Sequence, residues 1–387
     1  MERSRRTLGV TWLVSGATAL SLLGDQALYA VLPTEYERLG LAPFHVGLLL
    51  SVNRWIRFLT NSLAAWALER YRVRVLFAIS CFVGSLTTFA YALLPAFGWF
   101  LLARVVWGLC WSFIRHSGIA EVTASAATGR ESRSVGVYNG IARLGSLVGN
   151  AVGGLLVDLS GWFWTFLLMA LVSLGAVPLA GAAPSRAKRP SPPAPGGRMW
   201  RRLVLVASNG WLVGCVAGIV MSSLGALLTE RLGAQRSEGA LLGLATLNGL
   251  LLASRWVLEG VGAPGFGALA DRYGRDRLTR CSLIGGGVFL LLLWRPSPLP
   301  LLAGAVIGFF AVATALNTIL TSEAALRGSA SLAAYVTGSD LGAASGPLLA
   351  WSLLELGLLP SSVLLIGVLL YGLGLFLSAR FFVNPSA

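Results

Sequence analysis

The sequence has few charged residues for its length. Asp, Glu, Lys and Arg make up 12% of its 387 residues, whereas 56% are hydrophobic and the mean hydropathy is +0.74. This composition excludes a soluble globular protein, which needs more polar surface to stay in solution. Apolar stretches of about 20 residues follow one another along the chain, and that length lets a helix cross a bilayer. The sequence therefore predicts an all-α, polytopic membrane protein.

Cysteine and histidine are also scarce, with four and two residues. All the cysteines lie inside apolar stretches without paired spacing: Cys81, Cys110, Cys215 and Cys281. This placement indicates small buried core residues rather than disulfides or metal ligands. The residue pattern also contains no nucleophile–base pair, metal cluster or phosphate-binding loop. We therefore predict no enzyme activity, no cofactor and no metal.

Twelve apolar segments can be separated along the chain, and each predicts one membrane-spanning helix. They lie at 7–33, 43–68, 73–94, 97–122, 133–159, 161–182, 199–229, 237–265, 274–294, 298–323, 330–355 and 358–382. The first carries Asp25 and is too long for a signal-peptide core, so we interpret it as a retained spanning helix.

The net charge of +14 is distributed in a way that reflects membrane topology. Basic residues cluster in short turns between apolar segments, which indicates no nucleic-acid partner. The basic turns fall on one side, and the short, mixed or acidic turns fall on the other. The positive-inside rule therefore predicts a multi-pass protein of the cell (inner) membrane, with both termini in the cytoplasm and lipid as its surroundings.

A proline-rich segment divides the chain near its middle. Residues 183–202 combine Pro, Ser, Gly, Arg and Lys without helical periodicity, which is typical of a flexible linker. The linker would join an N-terminal six-helix bundle, 1–182, to a C-terminal six-helix bundle, 203–387. The two bundles are related in sequence, which indicates an internal repeat. Three pairs of segments carry the match: 67–76 with 269–278, 54–55 with 255–256, and 138–150 with 335–347.

One loop identifies a family. The segment GALADRYGRDR at 267–277 closely resembles the cytoplasmic signature loop of the major facilitator superfamily, written G-x-L-A-D-R-x-G-R-[RK]. AWALERYRVR at 65–74 resembles a degenerate copy, with Arg72 where the loop has Gly. The signature positions in the two copies are Glu69, Arg70, Gly267, Asp271, Arg272, Gly274 and Arg275. The resemblance implies alternating access, in which two bundles rock about a central site, and a monomer as the default state.

Two further segments resemble patterns of the same superfamily. RVVWG at 104–108 resembles its fourth-helix pattern R-x-x-x-G. GSLVGNAVGG at 145–154 resembles its fifth-helix glycine pattern, often found in antiporters, with Asn150 in place of proline. Glycines at three- and four-residue spacing allow close helix contact. We expect this stripe to form a seam between the fifth and eighth predicted helices.

Charged side chains inside the predicted helices are candidates for function, because a charge in hydrocarbon usually faces a partner or a cavity. The repeat makes Arg57 equivalent to Glu259 and Arg143 equivalent to Asp340, with opposite charges. The resemblance to the superfamily implies that helix two packs against helix eleven and helix five against helix eight. We therefore predict gate salt bridges that pair Arg57 with Asp340 and Arg143 with Glu259. Permanent ion pairs without a switching role are the alternative.

Two more arginines are candidates for substrate binding. Arg54 lies about one turn before the predicted gate arginine, and Arg255 is its counterpart in the repeat. A guanidinium offers a bidentate fork to a carboxylate, so these residues favour an anionic substrate. Alternatively, they bond to backbone carbonyls or join the gate pairs in one network. The adjacent Trp55 and Trp256 either stack on a ligand or serve packing.

Asp25 in the first helix and Arg104 in the fourth are the candidates for proton coupling. Burial disfavours a charged carboxylate and a neighbouring arginine favours it, and this competition can let Asp25 bind and release a proton in each cycle. A structural ion pair, or an Asp25 that caps a broken helix, is the alternative. The leading hypothesis is proton-coupled export of a small organic molecule by alternating access. An organic-anion facilitator or symporter and a lipid flippase are the alternatives, and a non-transporting scaffold is disfavoured by the buried charges.

Overall fold

The computed structural model of the chain describes residues 2–93, 96–126, 131–183, 200–233 and 243–383. Within these ranges all regular structure is helical, which confirms the all-α class. Seven helical segments of the described part are long and apolar enough to cross a membrane. The helices are α1 (Glu2–Glu35), α2 (Pro43–Trp55), α3 (Arg57–Arg70), α4 (Val73–Leu93), α5 (Phe97–Ser125), α6 (Glu131–Leu174), α7 (Ala176–Ala182), α8 (Trp200–Leu232), α9 (Leu244–Val257), α10 (Ala263–Tyr273), α11 (Arg275–Trp294), α12 (Leu299–Leu326), α13 (Ser329–Glu355) and α14 (Pro360–Val383).

Several predicted segments correspond to interrupted helices. The segment 43–68 comprises α2 and α3, which are separated by Ile56 alone. Ile56 keeps right-handed helical angles (φ −61°, ψ −28°), so the chain continues in the same direction. The segment 237–265 comprises α9, a π-helical turn at Leu258–Gly262 and the start of α10. Both interruptions closely follow an Arg-Trp pair, so the internal repeat extends to the local backbone.

A single glycine separates two predicted segments inside α6. Gly161 has φ 78° and ψ 176°, a conformation that favours glycine because a Cβ atom would clash. The predicted helices 133–159 and 161–182 therefore meet at a sharp turn without an intervening loop.

The chain forms two compact units. The first contains Met1–Gly40, Val52–Pro192 and Leu242–Ala253, and the second contains Leu41–Ser51, Pro193–Leu241 and Ser254–Ala387. These units differ from the predicted sequence halves by the exchange of two short pieces, 41–51 and 242–253. We call them the exchanged segments. Of the predicted linker 183–202, residues 184–199 lie outside the described part of the chain.

A glycine stripe on α6 lets that helix pack closely against α1. An added methyl group at each position would overlap atoms of α1, so glycine permits the close approach. The contacts pair Gly145 with Ala19, Gly149 with Leu23 and Gly153 with Ala27. Gly154 instead faces the backbone of Ala245 in α9. The expected seam with the eighth segment therefore holds at Gly154, whereas the four-residue stripe packs against the first helix.

The second unit repeats this seam. Glycines of α13 pack against the backbone of α8, and again there is no room for a methyl group. The contacts pair Gly338 with Ala207, Gly342 with Trp211 and Gly346 with Cys215. Gly342 and Gly346 are the repeat counterparts of Gly145 and Gly149, so the same sequence pattern produces the same packing twice.

One cysteine differs from the expectation of burial. Cys81, Cys110 and Cys215 are buried, but Cys281 is exposed on α11. The apolar character of its segment is a poor guide, since a helix that faces lipid is apolar on its outer side too.

Candidate functional site

A buried ion pair joins α1 to α5 inside the first unit. Asp25 Oδ1 accepts a hydrogen bond from Nη1 of Arg104. The two side chains are 7% and 0% exposed. The structure thus brings together the two residues that the sequence singles out for proton coupling. Their functional role stays a prediction, because the contact also fits a structural pair.

Amide side chains complete the surroundings of the carboxylate. Gln26 Nε2 donates to Asp25 Oδ2 over 3.1 Å, and Asn53 Nδ2 donates to Asp25 Oδ1 over 3.4 Å. Asn150 Nδ2 extends the chain of contacts, since it lies 3.4 Å from Gln26 Oε1. Both carboxylate oxygens of Asp25 therefore have donors, as a buried polar group requires.

A third helix contributes a second cation to the neighbourhood. The Cζ atoms of Arg54 and Arg104 lie 5.8 Å and 5.7 Å from the ring centroid of Tyr29. Tyr29 is buried and Arg54 is half-buried. The face of an aromatic ring is electronegative and attracts cations at this distance. Arg54 and Arg104 therefore belong to one cluster, which we call the α1–α2–α5 cluster together with Asp25, Gln26, Tyr29 and Asn53.

The spacing R-x-x-x-G in α5 has a physical explanation in this cluster. Gly108 lies one turn after Arg104, on the same side of the helix. A methyl group at Gly108 would overlap Ile56 and the backbone of Asn53. Glycine thus allows the α2–α3 junction to approach α5. This approach places the amide of Asn53 within reach of the ion pair.

The corresponding helix in the second unit pairs its charges differently. Arg255 Nε donates to Glu259 Oε1 over 2.8 Å, four residues along the chain. The guanidinium also contacts the sulfur of Met221 and lies 5.0 Å from the ring of Trp256. The sequence pattern predicts separate roles for Arg255 and Glu259, in substrate binding and in a gate. The structure joins them in one contact, which agrees with the network alternative.

The predicted gate pairs connect residues of different units. Arg57 and Arg143 belong to the first unit, and Asp340 and Glu259 belong to the second. All four side chains are half-buried. Both pairings remain predictions. Trp55 is 39% exposed and its ring lies 6.0 Å from the ring of Phe58, so both ligand stacking and packing stay predictions for it.

The signature loop is built around a glycine. Gly274 has φ +91°, in the region that favours glycine, and it links α10 to α11. Arg275 then donates to Asp271 over 3.0 Å and to Glu323 of α12 over 3.3 Å. The loop therefore attaches the end of α10 to a neighbouring helix.

The degenerate copy of the loop has a different conformation. Arg72 occupies the position of the signature glycine, and the preceding Tyr71 is extended with φ −115°. Glu69 and Arg70 are exposed, and Arg70 lies 4.3 Å from the ring of Trp66. On the other copy, Arg272 is exposed and Gly267 has open space around it. No described residue other than glycine has a positive φ, and Arg72 follows this rule. The copy therefore lacks the positive φ that Gly274 has in the signature loop.

Sequence reasoning missed the amides of the cluster. Gln26 and Asn53 carry no charge, so the pattern of charges does not single them out, and Asn150 differs from the glycine pattern only as a replacement for proline. Uncharged amides inside apolar segments are a usable signal, since buried polar groups need hydrogen-bond partners. Their partners could not be predicted, because they depend on how α1, α2 and α6 pack.

Comparison with known proteins gives a family match. The family model of the Major Facilitator Superfamily matches residues 14–247. The vesicular acetylcholine transporter of Mus musculus is 32% identical over 169 residues, which cover 41% of this chain and 31% of that protein. Multidrug resistance protein MdtG of Serratia proteamaculans (strain 568) is 31% identical over 186 residues, 46% of this chain and 44% of that protein. The chain thus spans less than half the length of these curated relatives.

Solved structures share the fold over nearly the whole chain. A bacterial homologue of the human lysosomal transporter Spinster, in an inward-facing and unoccupied conformation, has a TM-score of 0.75 with 13% identity. That match covers 99% of this chain and 98% of the other. The nucleoside transporter NupG has a TM-score of 0.76 with 10% identity, over 98% of this chain and 99% of the other. Similarity at this level of identity concerns the fold alone.

Proposed function

Since the chain belongs to the Major Facilitator Superfamily, we propose that this multi-pass membrane protein is a proton-coupled exporter of small organic molecules that works by alternating access. The observation that carries the proposal is the Asp25–Arg104 ion pair, which links two helices and is buried with two amide donors around the carboxylate. A charge pair inside a membrane helix bundle is a common place for proton relays. The relatives named as multidrug resistance proteins support an organic substrate.

In the proposed mechanism, a proton and the Arg104 guanidinium compete for the Asp25 carboxylate. When Asp25 is ionised, it holds Arg104 and receives the amides of Gln26 and Asn53. A proton on the carboxylate removes the charge attraction and weakens the link between α1 and α5. Removing one charge of a buried ion pair costs free energy, because the other charge is left without its partner. Protonation of Asp25 therefore biases one arrangement of the helices against another.

The wider arrangement belongs to the same proposal. It comprises twelve spanning helices in two six-helix bundles, cytoplasmic termini and a monomer. The pairs Arg57–Asp340 and Arg143–Glu259 would close the cytoplasmic side in one state.

Arg57→Ala should then shift the resting population toward the cytoplasm-open form. Labelling of cysteines engineered on the two faces measures this shift, and unchanged labelling would remove Arg57 from the gate.

Transport in proteoliposomes tests the coupling. Two fluorescent probes are suitable, ethidium as an organic cation and carboxyfluorescein as an organic anion. With an acidic lumen, the wild type should accumulate a probe in exchange for protons, and accumulation should stop when the gradient is collapsed. Asp25→Asn should move the probe at the same rate with and without the gradient. Glu37→Gln is the matched control, because that carboxylate is exposed and its described hydrogen bond is to the neighbouring Tyr36.

Each outcome has a definite meaning. Movement of neither probe under any gradient would contradict transport of small organic molecules. Full gradient dependence in Asp25→Asn would remove Asp25 from coupling. Equal movement with and without the gradient in the wild type would contradict proton coupling and favour a second candidate, an organic-anion facilitator. Arg54 supports that candidate, since it is half-buried beside Tyr29 and presents a cation.

A further inference from the structure

Three of the described helices begin beneath a carboxylate that comes from another helix. In one of them Glu230 of α8 accepts from the backbone N–H and hydroxyl of Ser361 in α14. The other two, at α9 and α2, are related by the internal repeat. In the first unit, Asp158 Oδ2 of α6 accepts from the backbone N–H of Thr246 over 2.7 Å and from the Thr246 hydroxyl over 2.5 Å. Thr246 is in the first turn of α9. A methyl group on Gly243 would overlap the Asp158 carboxylate, so this carboxylate lies directly against the helix end.

The second unit contains the same arrangement. Glu355 is the last residue of α13, and its Oε2 accepts from the backbone N–H of Phe44 over 3.0 Å. Phe44 is the second residue of α2. The first N–H groups of a helix have no partner within the helix, and the positive end of its dipole attracts a carboxylate. Both contacts therefore satisfy a helix end by a charge from a neighbouring helix.

The two caps are related by the internal repeat. Asp158 and Glu355 are 197 positions apart, the separation that also relates Tyr138 to Tyr335 in the matching segments of α6 and α13. Phe44 and Thr246 are 202 positions apart, the separation that relates the two loop segments at 67–76 and 269–278. The two carboxylate acceptors are thus related by an offset of 197 residues, and the two N–H donors by an offset of 202 residues. Both caps therefore fit the internal repeat.

Neither helix can cap itself with a side chain at the preceding position. Ala42 precedes α2 and Gly243 precedes α9, and neither has a side-chain oxygen. The usual N-cap residues are Ser, Thr, Asp and Asn. When α9 separates from Asp158, or α2 from Glu355, the first turn loses this acceptor.

The caps also lie at the tips of the exchanged segments. α9 belongs to the first unit up to Ala253, and α2 belongs to the second unit up to Ser51. Tight glycine contacts lie beneath each cap, at Gly154 against Ala245 and at Gly47 against Trp351. The opposite ends of these helical segments carry the signature loop and its copy, roughly 40 Å away along the helix axis.

We infer that Asp158 and Glu355 are paired positioning residues of the outer gate, and this inference rests on the proposed transport function. Each carboxylate holds the first turn of a helix from the other sequence half. The outer side opens when both helix ends leave their carboxylates. Because the two contacts release in one movement, loss of either one destabilises both.

Hydrogen exchange in nanodiscs, followed by mass spectrometry, tests the coupling of the two caps. The readouts are peptides that cover residues 42–50 and 244–252. Asp158→Ala should raise exchange in 244–252 about tenfold and should also raise it several-fold in 42–50, although Glu355 is intact. Asp158→Glu should restore most of the protection at both places, because the second cap already uses a glutamate. Glu37→Ala, an exposed carboxylate of the same predicted side, should change neither peptide.

The reciprocal variant keeps the test independent of one substitution. Glu355→Ala should raise exchange in 42–50 and also in 244–252. If Asp158→Ala does not fold, this variant alone decides the question. An increase confined to the substituted cap, or no increase at all, would overturn the inference. The measurement needs no substrate, so uncoupled exchange in a protein that transports contradicts only the gate, and coupled exchange in a protein that does not transport contradicts only the proposed function.

Discussion

In the first compact unit the buried ion pair joins two helices, α1 and α5, whereas in the second unit Arg255 and Glu259 lie one turn apart in the same helical segment. The first pair is 0% and 7% exposed, and the second is 23% and 10% exposed. A pair between helices reports on their relative position, but a pair along one segment moves with it. The difference teaches that, of these two ion pairs, the first ties two helices together and the second does not.

The helix seams, in contrast, are the same in both units. Gly145 approaches Ala19 as Gly342 approaches Trp211. Close backbone contact of this kind depends on the lack of a side chain and not on charge. The repeat therefore keeps the packing and changes the chemistry.

The largest expected effect is at the pair between helices. Arg104→Met should lower the free energy of unfolding by about 3–5 kcal/mol, because it leaves the Asp25 carboxylate buried without its guanidinium. Thermal unfolding in detergent measures the change, and Asp25→Leu combined with Arg104→Met should recover much of it. Arg38→Met is the control, since the Arg38 side chain is 81% exposed beside Glu35. If Arg104→Met and Arg38→Met lowered the free energy of unfolding equally, the buried pair would contribute no more to stability than the exposed one.

The next effect should be equal in the two units. Gly145→Ala and Gly342→Ala should each lower stability by about 1–3 kcal/mol, because the added methyl group overlaps backbone atoms and forces the helices apart. Gly304→Ala is the matched control, since no atom of another helix lies within 4 Å of its added methyl group. A large difference between the two seam variants would contradict equivalent packing.

The smallest effect is expected at the pair along one segment. Arg255→Met should change stability by about 0.5–1 kcal/mol, because it removes a pair of charges four residues apart on a helix and the cation over the Trp256 ring. The same unfolding measurement applies. A loss as large as that of Arg104→Met would break the comparison between the units.

Much of the fold follows from the pattern of apolar segments and breakers. Gly161 and Gly274 are recognisable as the ends of helices, and the repeat is visible in 67–76 and 269–278. Asp25 and Arg104 stand out because charges in apolar segments are rare. The oppositely charged partner of such a residue can be predicted only when a single opposite charge lies at a similar depth in the membrane.

The remaining contacts depend on helix rotation, which the sequence pattern does not specify. A partner of Glu259 is Arg255, four residues away, and the sequence suggests this local contact only within a wider network. From the sequence alone, Asp158 and Glu355 are polar residues near helix ends, whereas in the structure each accepts from a backbone N–H of another helix. Backbone donors carry no sequence signal, so such caps cannot be found by residue type.

The exchanged segments have a consequence for any attempt to divide the chain. A fragment that ends at residue 183 lacks 242–253, which includes the start of α9 and belongs to the first compact unit. The complementary fragment lacks 41–51, which includes most of α2 and belongs to the second. The first fragment would then expose Gly154, which packs on Ala245, and the second would expose Pro347 and Trp351, which pack on Gly47. The two fragments should therefore be stable only when they are produced together.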